Sequence, residues 1–105
     1  MQQQILKQEL TISQILRTYG KQFKQIAQQY SDGHNGRCAL GVIMSYYGWN
    51  GKNDSQVTRK LLSTLIALSY ADIDKNLLAE LNDSGMPFDE IADHLDKFGG
   101  SRKYR

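Results

Sequence analysis

The sequence predicts an all-α protein, a compact bundle of about five helices around a buried central helix at residues 37–47. Three observations carry this prediction. Apolar residues recur at helical spacing through most of the chain, no segment alternates apolar and polar residues as a half-buried strand does, and glycine-rich loops separate the helical stretches. The length of 105 residues gives room for one domain, which we place at residues 11–99.

The first predicted helix is long and begins at Ile12. The sequence Thr11-Ile12-Ser13-Gln14 has the form of a capping box, which marks a helix start. A spacing of seven then relates two sets of apolar residues, Ile12, Tyr19 and Ile26, and Leu16, Phe23 and Tyr30. The same spacing also permits a coiled-coil dimer, which stays open as an alternative. Residues 1–10 are predicted to be an N-terminal arm or a short helix.

The second predicted helix forms the centre of the core. After the loop at residues 31–36, seven consecutive residues from Cys38 to Met44 are apolar or glycine, so no face is left for water. A buried strand is the alternative, because periodicity does not distinguish the two in a short run. Gly48 is placed to end this helix in the left-handed conformation.

Three further helices complete the prediction. The third begins at Asp54 or Ser55 and runs to about Ser69, and the fourth is opened by Asp72–Asp74 and followed by Gly85. The fifth has Pro87 in its first position and ends at Gly99-Gly100. Its predicted buried face consists of Phe88, Ile91, Ala92, Leu95 and Phe98. Residues 100–105 are predicted to be a flexible basic tail.

Charge is distributed unevenly along the chain. Residues 1–62 contain eight basic and three acidic residues, residues 63–97 contain two basic and eight acidic ones, and the net charge is +2. Such a chain is poorly suited to coat nucleic acid uniformly and suits complementary contacts within the fold or between copies. The sequence shows neither a bilayer-spanning apolar stretch nor a secretory signal, so we expect a cytoplasmic protein without membrane contact.

The single cysteine, Cys38, is the main candidate for chemistry. At a helix N-terminus its thiolate would be favoured, and His34, His94 or Asp83 would assist it as a nucleophile. Cys38 also opens the apolar run, however, which favours a buried structural cysteine. Since the sequence holds no spaced pair of metal ligands, we expect neither a metal nor a cofactor, and an enzyme is less favoured than a non-catalytic protein.

Two motifs carry a resemblance to other proteins. The first is Gly36-Arg37-Cys38-Ala39-Leu40-Gly41, and the second is Leu81-Asn82-Asp83-Ser84-Gly85 followed by Phe88-Asp89-Glu90-Ile91-Ala92. Over residues 31–98 the chain resembles a group of small uncharacterised microbial and phage proteins. The resemblance implies an architecture, in which a Cys-Ala-Leu-Gly helix is joined to a Leu-Asn-Asp turn and a terminal Ile-Ala helix, and it implies no activity. The residue types themselves predict that Cys38, Ala39 and Gly41 pack tightly against the turn at Asn82 and Asp83, whose side chains can bond to the backbone.

Three functions follow as hypotheses. The first is a non-catalytic module that binds another protein or a second copy of itself through Tyr46, Tyr47 and Trp49, although these residues would equally suit the rim of the core. The second is a nucleic-acid-associated regulator that uses Lys21, Lys24, Arg37, Arg102, Lys103 and Arg105. The third is an enzyme that depends on Cys38, for which Asn82 and Asp83 are further candidate site residues.

Overall fold

The computed structural model describes residues 10–52, 60, 64, 70 and 73–99. This part of the chain is mostly helical, as predicted, and contains four α-helices, a 3₁₀ helix and a two-stranded sheet. The elements in order are α1 (Ile12–Thr18), the 3₁₀ helix (Tyr19–Gln22), β1 (Lys24–Gln25), β2 (Gly36–Arg37), α2 (Ala39–Tyr46), α3 (Lys75–Asp83) and α4 (Phe88–Phe98).

Helix α1 begins where the sequence predicts but is much shorter. Thr11 Oγ1 accepts a hydrogen bond from Gln14 N at 3.2 Å, and Gln14 Oε1 accepts one from Thr11 N at 2.9 Å, which confirms the capping box. The prediction of a long helix continuing toward Tyr30 is wrong. The backbone at Gly20 packs closely against the side chain of Phe88, so that an added Cβ would lie 2.9 Å from its Cδ2. Glycine also has a weak helix propensity, so α1 gives way here to the 3₁₀ helix.

The sheet is a parallel pair in which Lys24 lies opposite Gly36 and Gln25 lies opposite Arg37. The Ile26 N–H extends the pairing by donating to Arg37 O at 3.0 Å. This sheet corrects the all-α prediction, because it uses a segment that the sequence assigned to the first helix. Strands of two residues are too short to show an alternating pattern, so the apolar spacing alone could not reveal them.

Helix α2 is the buried centre of the fold. Its residues from Ala39 to Ser45 are all buried, and Ala39, Val42, Ile43 and Met44 have no exposed surface. This confirms the central helix, and the strand alternative is wrong. The carbonyl oxygen of Tyr30 lies against Gly41, in space that a Cβ at that position would need. Gly48 follows the helix with a φ of 106°, as predicted.

Helices α3 and α4 meet at a tight turn. Asp74 caps α3 by accepting a hydrogen bond from Asn76 N, and Gly85 follows the helix with a φ of 97°. Pro87 is the N-cap of α4 and not its first residue. The predicted buried face is confirmed except for Phe98, which is 53% exposed. It occupies the last position of α4, beyond the buried residue Leu95.

Helices α1 and α4 pack closely, and polar contacts join their outer faces. Ser13 Oγ donates to Asp96 at 2.7 Å, and Arg17 pairs with Asp93 at 2.6 Å and with Asp96 at 2.7 Å. Exposed ion pairs of this kind add little stability, so the apolar residues Ile12, Ile15 and Leu16 of α1 contribute most of the attachment.

Several predictions lie outside the described residues. The third predicted helix is described only at Lys60 and Thr64, both of which are helical. Residues 1–9 of the predicted arm and the tail at residues 100–105 also lie outside. Within the described ranges, none of the helices has both the length and the apolar character needed to cross a membrane.

Candidate functional site

The Cys-Ala-Leu-Gly motif and the Leu-Asn-Asp motif meet at the N-terminal end of α2. Cys38 is the N-cap of this helix, and its Sγ accepts a hydrogen bond from Gly41 N at 3.4 Å. The backbone N–H of Ala39, the first residue of α2, donates a hydrogen bond to Oδ1 of Asn82 at 3.0 Å. The side chain of Asn82 in α3 therefore satisfies one of the donors that a helix start leaves without a partner. Direct contact between the two motifs is confirmed.

Asn82 also joins this helix end to β1. Its Oδ1 accepts a second bond from Gln25 Nε2 at 2.9 Å, and its Nδ2 donates to Ile26 O at 2.7 Å. Gln25 in turn donates to Met86 O and accepts from Phe88 N, so it holds the turn between α3 and α4. We call this set of residues, Gln25, Ile26, Cys38, Ala39 and Asn82, the Asn82 corner.

The Asn82 corner is suited to holding the fold and not to catalysis. Asn82 is 2% exposed and Cys38 is 8% exposed. Burial raises the pKa of the Cys38 thiol, and the nearby charge of Asp83 raises it further, against the lowering effect of the Gly41 N–H. No hydrogen bond among the described residues joins Cys38 to a histidine. A thiol in these surroundings stays protonated and inert at neutral pH.

Arg37 is directed into the protein, although the sequence placed it among the candidate phosphate contacts. It is 5% exposed, and its guanidinium donates to the hydroxyls of Ser45 and Ser31 and to the carbonyls of His34 and Gly36. The guanidinium also lies 4.6 Å from the ring centre of Phe23 and 5.8 Å from that of Trp49. The positive charge of Arg37 therefore interacts with groups inside the protein and is not accessible to a phosphate.

A continuous set of aromatic rings lies near the opposite end of α2. Ring centres are 5.7 Å apart for Phe23 and Tyr19, 5.6 Å for Tyr19 and Tyr46, 5.0 Å for Tyr46 and Tyr47, and 6.4 Å for Tyr47 and Tyr70. We call these five residues the aromatic row. All are half-buried except Tyr70, which is 2% exposed. Its hydroxyl donates to Leu10 O at 2.6 Å and is bonded to the Tyr47 hydroxyl.

The row contains two of the three predicted interface residues. Tyr46 and Tyr47 are half-buried and belong to it, whereas Trp49 is 5% exposed and packs in the core beside Arg37. For Trp49 the structure agrees with the other interpretation, in which this residue lies at the rim of the core. A surface built on the row therefore uses the tyrosines without the tryptophan.

A groove adjoins the row at Phe23. It has a volume of about 260 Å³ and is lined by Leu16, Gly20, Lys21, Phe23, Gln25, Pro87, Phe88 and Asp89. Its floor is largely apolar, and one cation and one carboxylate stand at its rim. Lys21 and Asp89, which both belong to the described residues, do not form an ion pair with each other.

The remaining basic candidates are divided between the surface and the tail. Lys21 and Lys24 are exposed, as a surface role requires. The candidates Arg102, Lys103 and Arg105 lie outside the described residues. Asp83 is also exposed and, besides its bond from Gln28 N, lines a shallow acidic depression with Glu80 and Ser84.

Sequence reasoning missed three residues that matter here: Gln25, Tyr19 and Phe23. Tyr19 and Phe23 were assigned to the apolar face of a continuous first helix, in two sets of residues with a spacing of seven. For Gln25 no signal distinguished it from the other glutamines of the segment, since its importance comes from contacts with residues about 60 positions away.

Neither a metal site nor a similarity to known proteins assigns a function to this chain. Within the described residues, no group of three or more histidine, cysteine or acidic side chains lies close enough together to hold a metal ion. Comparisons with protein-family models, with curated proteins and with solved structures each found no match for this chain. The surface features of the protein itself therefore have to carry the functional argument.

Proposed function

We propose that this protein functions by self-association, as a symmetric dimer whose contact face consists of the aromatic row and the adjoining groove. The observation that carries this proposal is the row itself, in which the rings of Tyr19, Phe23, Tyr46 and Tyr47 pack against one another in tilted and T-shaped pairs and are still partly exposed. Such side chains contribute large contact areas at little cost in conformational entropy, and tyrosine is enriched in protein interfaces.

The charges at the groove favour a second copy as the occupant. A twofold axis brings the same patch of both copies together, so a patch that carries both signs is complementary to itself. In such a dimer Lys21 of each copy faces Asp89 of the other, and two ion pairs form around an apolar centre. In the part of the chain that the structure describes, neither Lys21 nor Asp89 has an ion-pair partner.

The working unit in this proposal is the predicted bundle of about five helices, located in the cytoplasm. The fifth helix would come from the segment between Asp54 and about Ser69. The cytoplasm suits a protein with one cysteine, which is a free and buried thiol.

The two other hypotheses have less support. A Cys38-dependent enzyme needs an accessible thiolate, whereas Cys38 is buried with a raised pKa. A nucleic-acid regulator would have to do without Arg37, which is buried, and would depend on Lys21, Lys24 and the tail.

The first experiment measures the mass of the full chain in solution. Sedimentation over a range of concentrations should show a monomer–dimer equilibrium, and Tyr46→Ala should weaken it by about tenfold, or about 1.4 kcal/mol. Asn76→Ala, an exposed site on α3 outside the contact face, is the matched control and should leave the equilibrium unchanged. A wild-type chain that stays monomeric at all concentrations would overturn the proposal.

A charge exchange tests the geometry of the dimer. Lys21→Glu and Asp89→Lys should each weaken association by at least about tenfold, because each places like charges opposite one another. The double variant Lys21→Glu/Asp89→Lys should restore it, while Lys52→Glu, at an exposed lysine outside the contact face, should have little effect. Absence of rescue in the double variant would contradict the twofold arrangement.

A further inference from the structure

The chain contains two Asn-Gly pairs, Asn35-Gly36 and Asn50-Gly51, in different surroundings. This dipeptide is prone to spontaneous deamidation, because glycine has no side chain to hinder its backbone nitrogen from attacking the asparagine side chain. Whether the reaction proceeds in a folded protein depends on how firmly the amide and the following N–H are held. The two pairs therefore provide an internal comparison.

The first pair, Asn35-Gly36, is restrained by hydrogen bonds to its backbone and to its side-chain amide. The Gly36 N–H donates to the Asp32 carboxylate at 3.0 Å, and Gly36 belongs to strand β2. The side-chain amide of Asn35 donates to Gln22 O at 3.1 Å, and its backbone oxygen accepts from Lys24 N at 3.0 Å. The carboxylate of Asp32 disfavours removal of the Gly36 proton, and the bond to Gln22 keeps the amide away from the nitrogen that would attack it.

The second pair has fewer restraints. In both pairs the asparagine is exposed and the glycine is buried, so the difference lies in the hydrogen bonds. The Oδ1 of Asn50 accepts a hydrogen bond from Lys52 N at 2.9 Å. This bond draws electron density from the side-chain carbonyl carbon and makes it a better electrophile. In the part of the chain that the structure describes, the Gly51 N–H has no hydrogen-bond acceptor, and the Arg37 guanidinium packs against Gly51. A neighbouring cation favours the deprotonated nitrogen that carries out the attack.

From this contrast we infer that Asn50 is a site of spontaneous deamidation in the folded protein and that Asn35 is protected. The Gly51 nitrogen loses its proton to a base in solution and forms a bond to Cγ of Asn50. The bond from Cγ to Nδ2 breaks, and the nitrogen leaves as ammonia after taking up a proton. Water then opens the resulting succinimide at one of its two carbonyls and gives aspartate or isoaspartate, so the net reaction consumes one water and releases one ammonia.

The product changes the protein at a sensitive place. It carries a new carboxylate next to Gly51, which has a φ of 82° and packs so closely against Arg37 that a Cβ at this position would collide with the guanidinium. Isoaspartate adds a methylene group to the backbone at this point. The isoaspartate form should therefore displace the packing between Arg37 and Trp49.

Trypsin separates the two sites, since it releases residues 25–37 and 38–52 as different peptides. We expect mass spectrometry of the folded full-length chain, aged in mildly alkaline buffer, to show conversion at Asn50 at least about tenfold faster than at Asn35. In urea the two rates should become comparable. Asn50→Gln should abolish the conversion in peptide 38–52, which shows that the signal comes from this residue.

A second variant tests the cause of the protection. Asp32→Ala removes the acceptor of the Gly36 N–H and should speed conversion at Asn35 in a chain that circular dichroism shows to be folded. Equal rates at the two sites in the folded wild type, or faster conversion at Asn35, would overturn the inference. These outcomes do not depend on whether the protein dimerises, so failure here is distinguishable from failure of the proposed function.

Discussion

The two ends of helix α2 differ in the way their polar groups are satisfied. At the N-terminal end, the Asn82 corner makes buried and partly buried hydrogen bonds between residues from distant parts of the chain. At the C-terminal end, Tyr46 and Tyr47 belong to the aromatic row and keep part of their surface in contact with solvent. The motif that looked most like a site from the sequence is thus sealed, and the surface that remains available lies at the other end.

This difference separates stability from binding. Removing a partner inside a buried network leaves the other groups without hydrogen bonds, which destabilises the fold. Truncating a half-exposed ring removes contact area from a surface and leaves most of the core intact. Substitutions at the two ends of α2 should therefore affect different measurements.

The largest effect on stability is expected for Asn82→Ala. It leaves the buried Ala39 N–H without an acceptor and Ile26 O without a donor, at a cost of about 3 kcal/mol. Urea unfolding measures this cost. Asp83→Ala at the exposed neighbouring position should cost less than about 1 kcal/mol, and equal effects of the two substitutions would show that the corner does not stabilise the fold.

The second prediction concerns access to the corner. Because Cys38 is buried and its pKa is raised, a thiol reagent should label it in the folded chain at least about a hundredfold more slowly than in urea. The double variant Cys38→Ser/Gln29→Cys provides an exposed thiol as the reference and should be labelled rapidly. Rapid labelling of Cys38 in the native chain would reopen the hypothesis of a catalytic thiol.

The smallest effect is expected at the contact between α1 and α4, which is exposed, unlike the corner. The hydrogen bond from Ser13 and the charge of Arg17 lower the pKa of Asp96. Because the folded pKa lies below the unfolded value of about 3.9, the contribution is complete above that value and is lost as pH falls through the folded pKa. The midpoint of urea unfolding should therefore fall more steeply with acid in the wild type than in Asp96→Asn.

A second variant identifies the cause of this shift. Ser13→Ala removes the largest contribution and should raise the pKa of Asp96 as measured by NMR titration. An unchanged pKa would mean that Arg17 alone accounts for the shift.

Features that depend on neighbouring residues were predicted correctly, whereas features that depend on contacts between residues far apart in the chain were missed. The start of α1 was predicted because a capping box needs only Thr11 and Gln14, and the helix ends at Gly48 and Gly85 were predicted because glycine adopts positive φ without strain. The end of α1 at Thr18 was missed, because the close approach of Gly20 to Phe88 joins residues far apart in the chain. The interior position of Arg37 was missed for the same reason, since nothing local shows that two serines and two aromatic rings surround it.

By itself, the sequence determined that the protein is mostly helical, that α2 is its dry centre, and that Cys38 is buried. These properties depend on hydrophobic patterning and local capping, and both involve residues that lie close together in the sequence. Only the tertiary structure decided that Gln25 pairs with Asn82, that Trp49 joins the core, and that the tyrosines form one row. Each of these outcomes depends on long-range contacts, whose geometry is set when all the elements pack together.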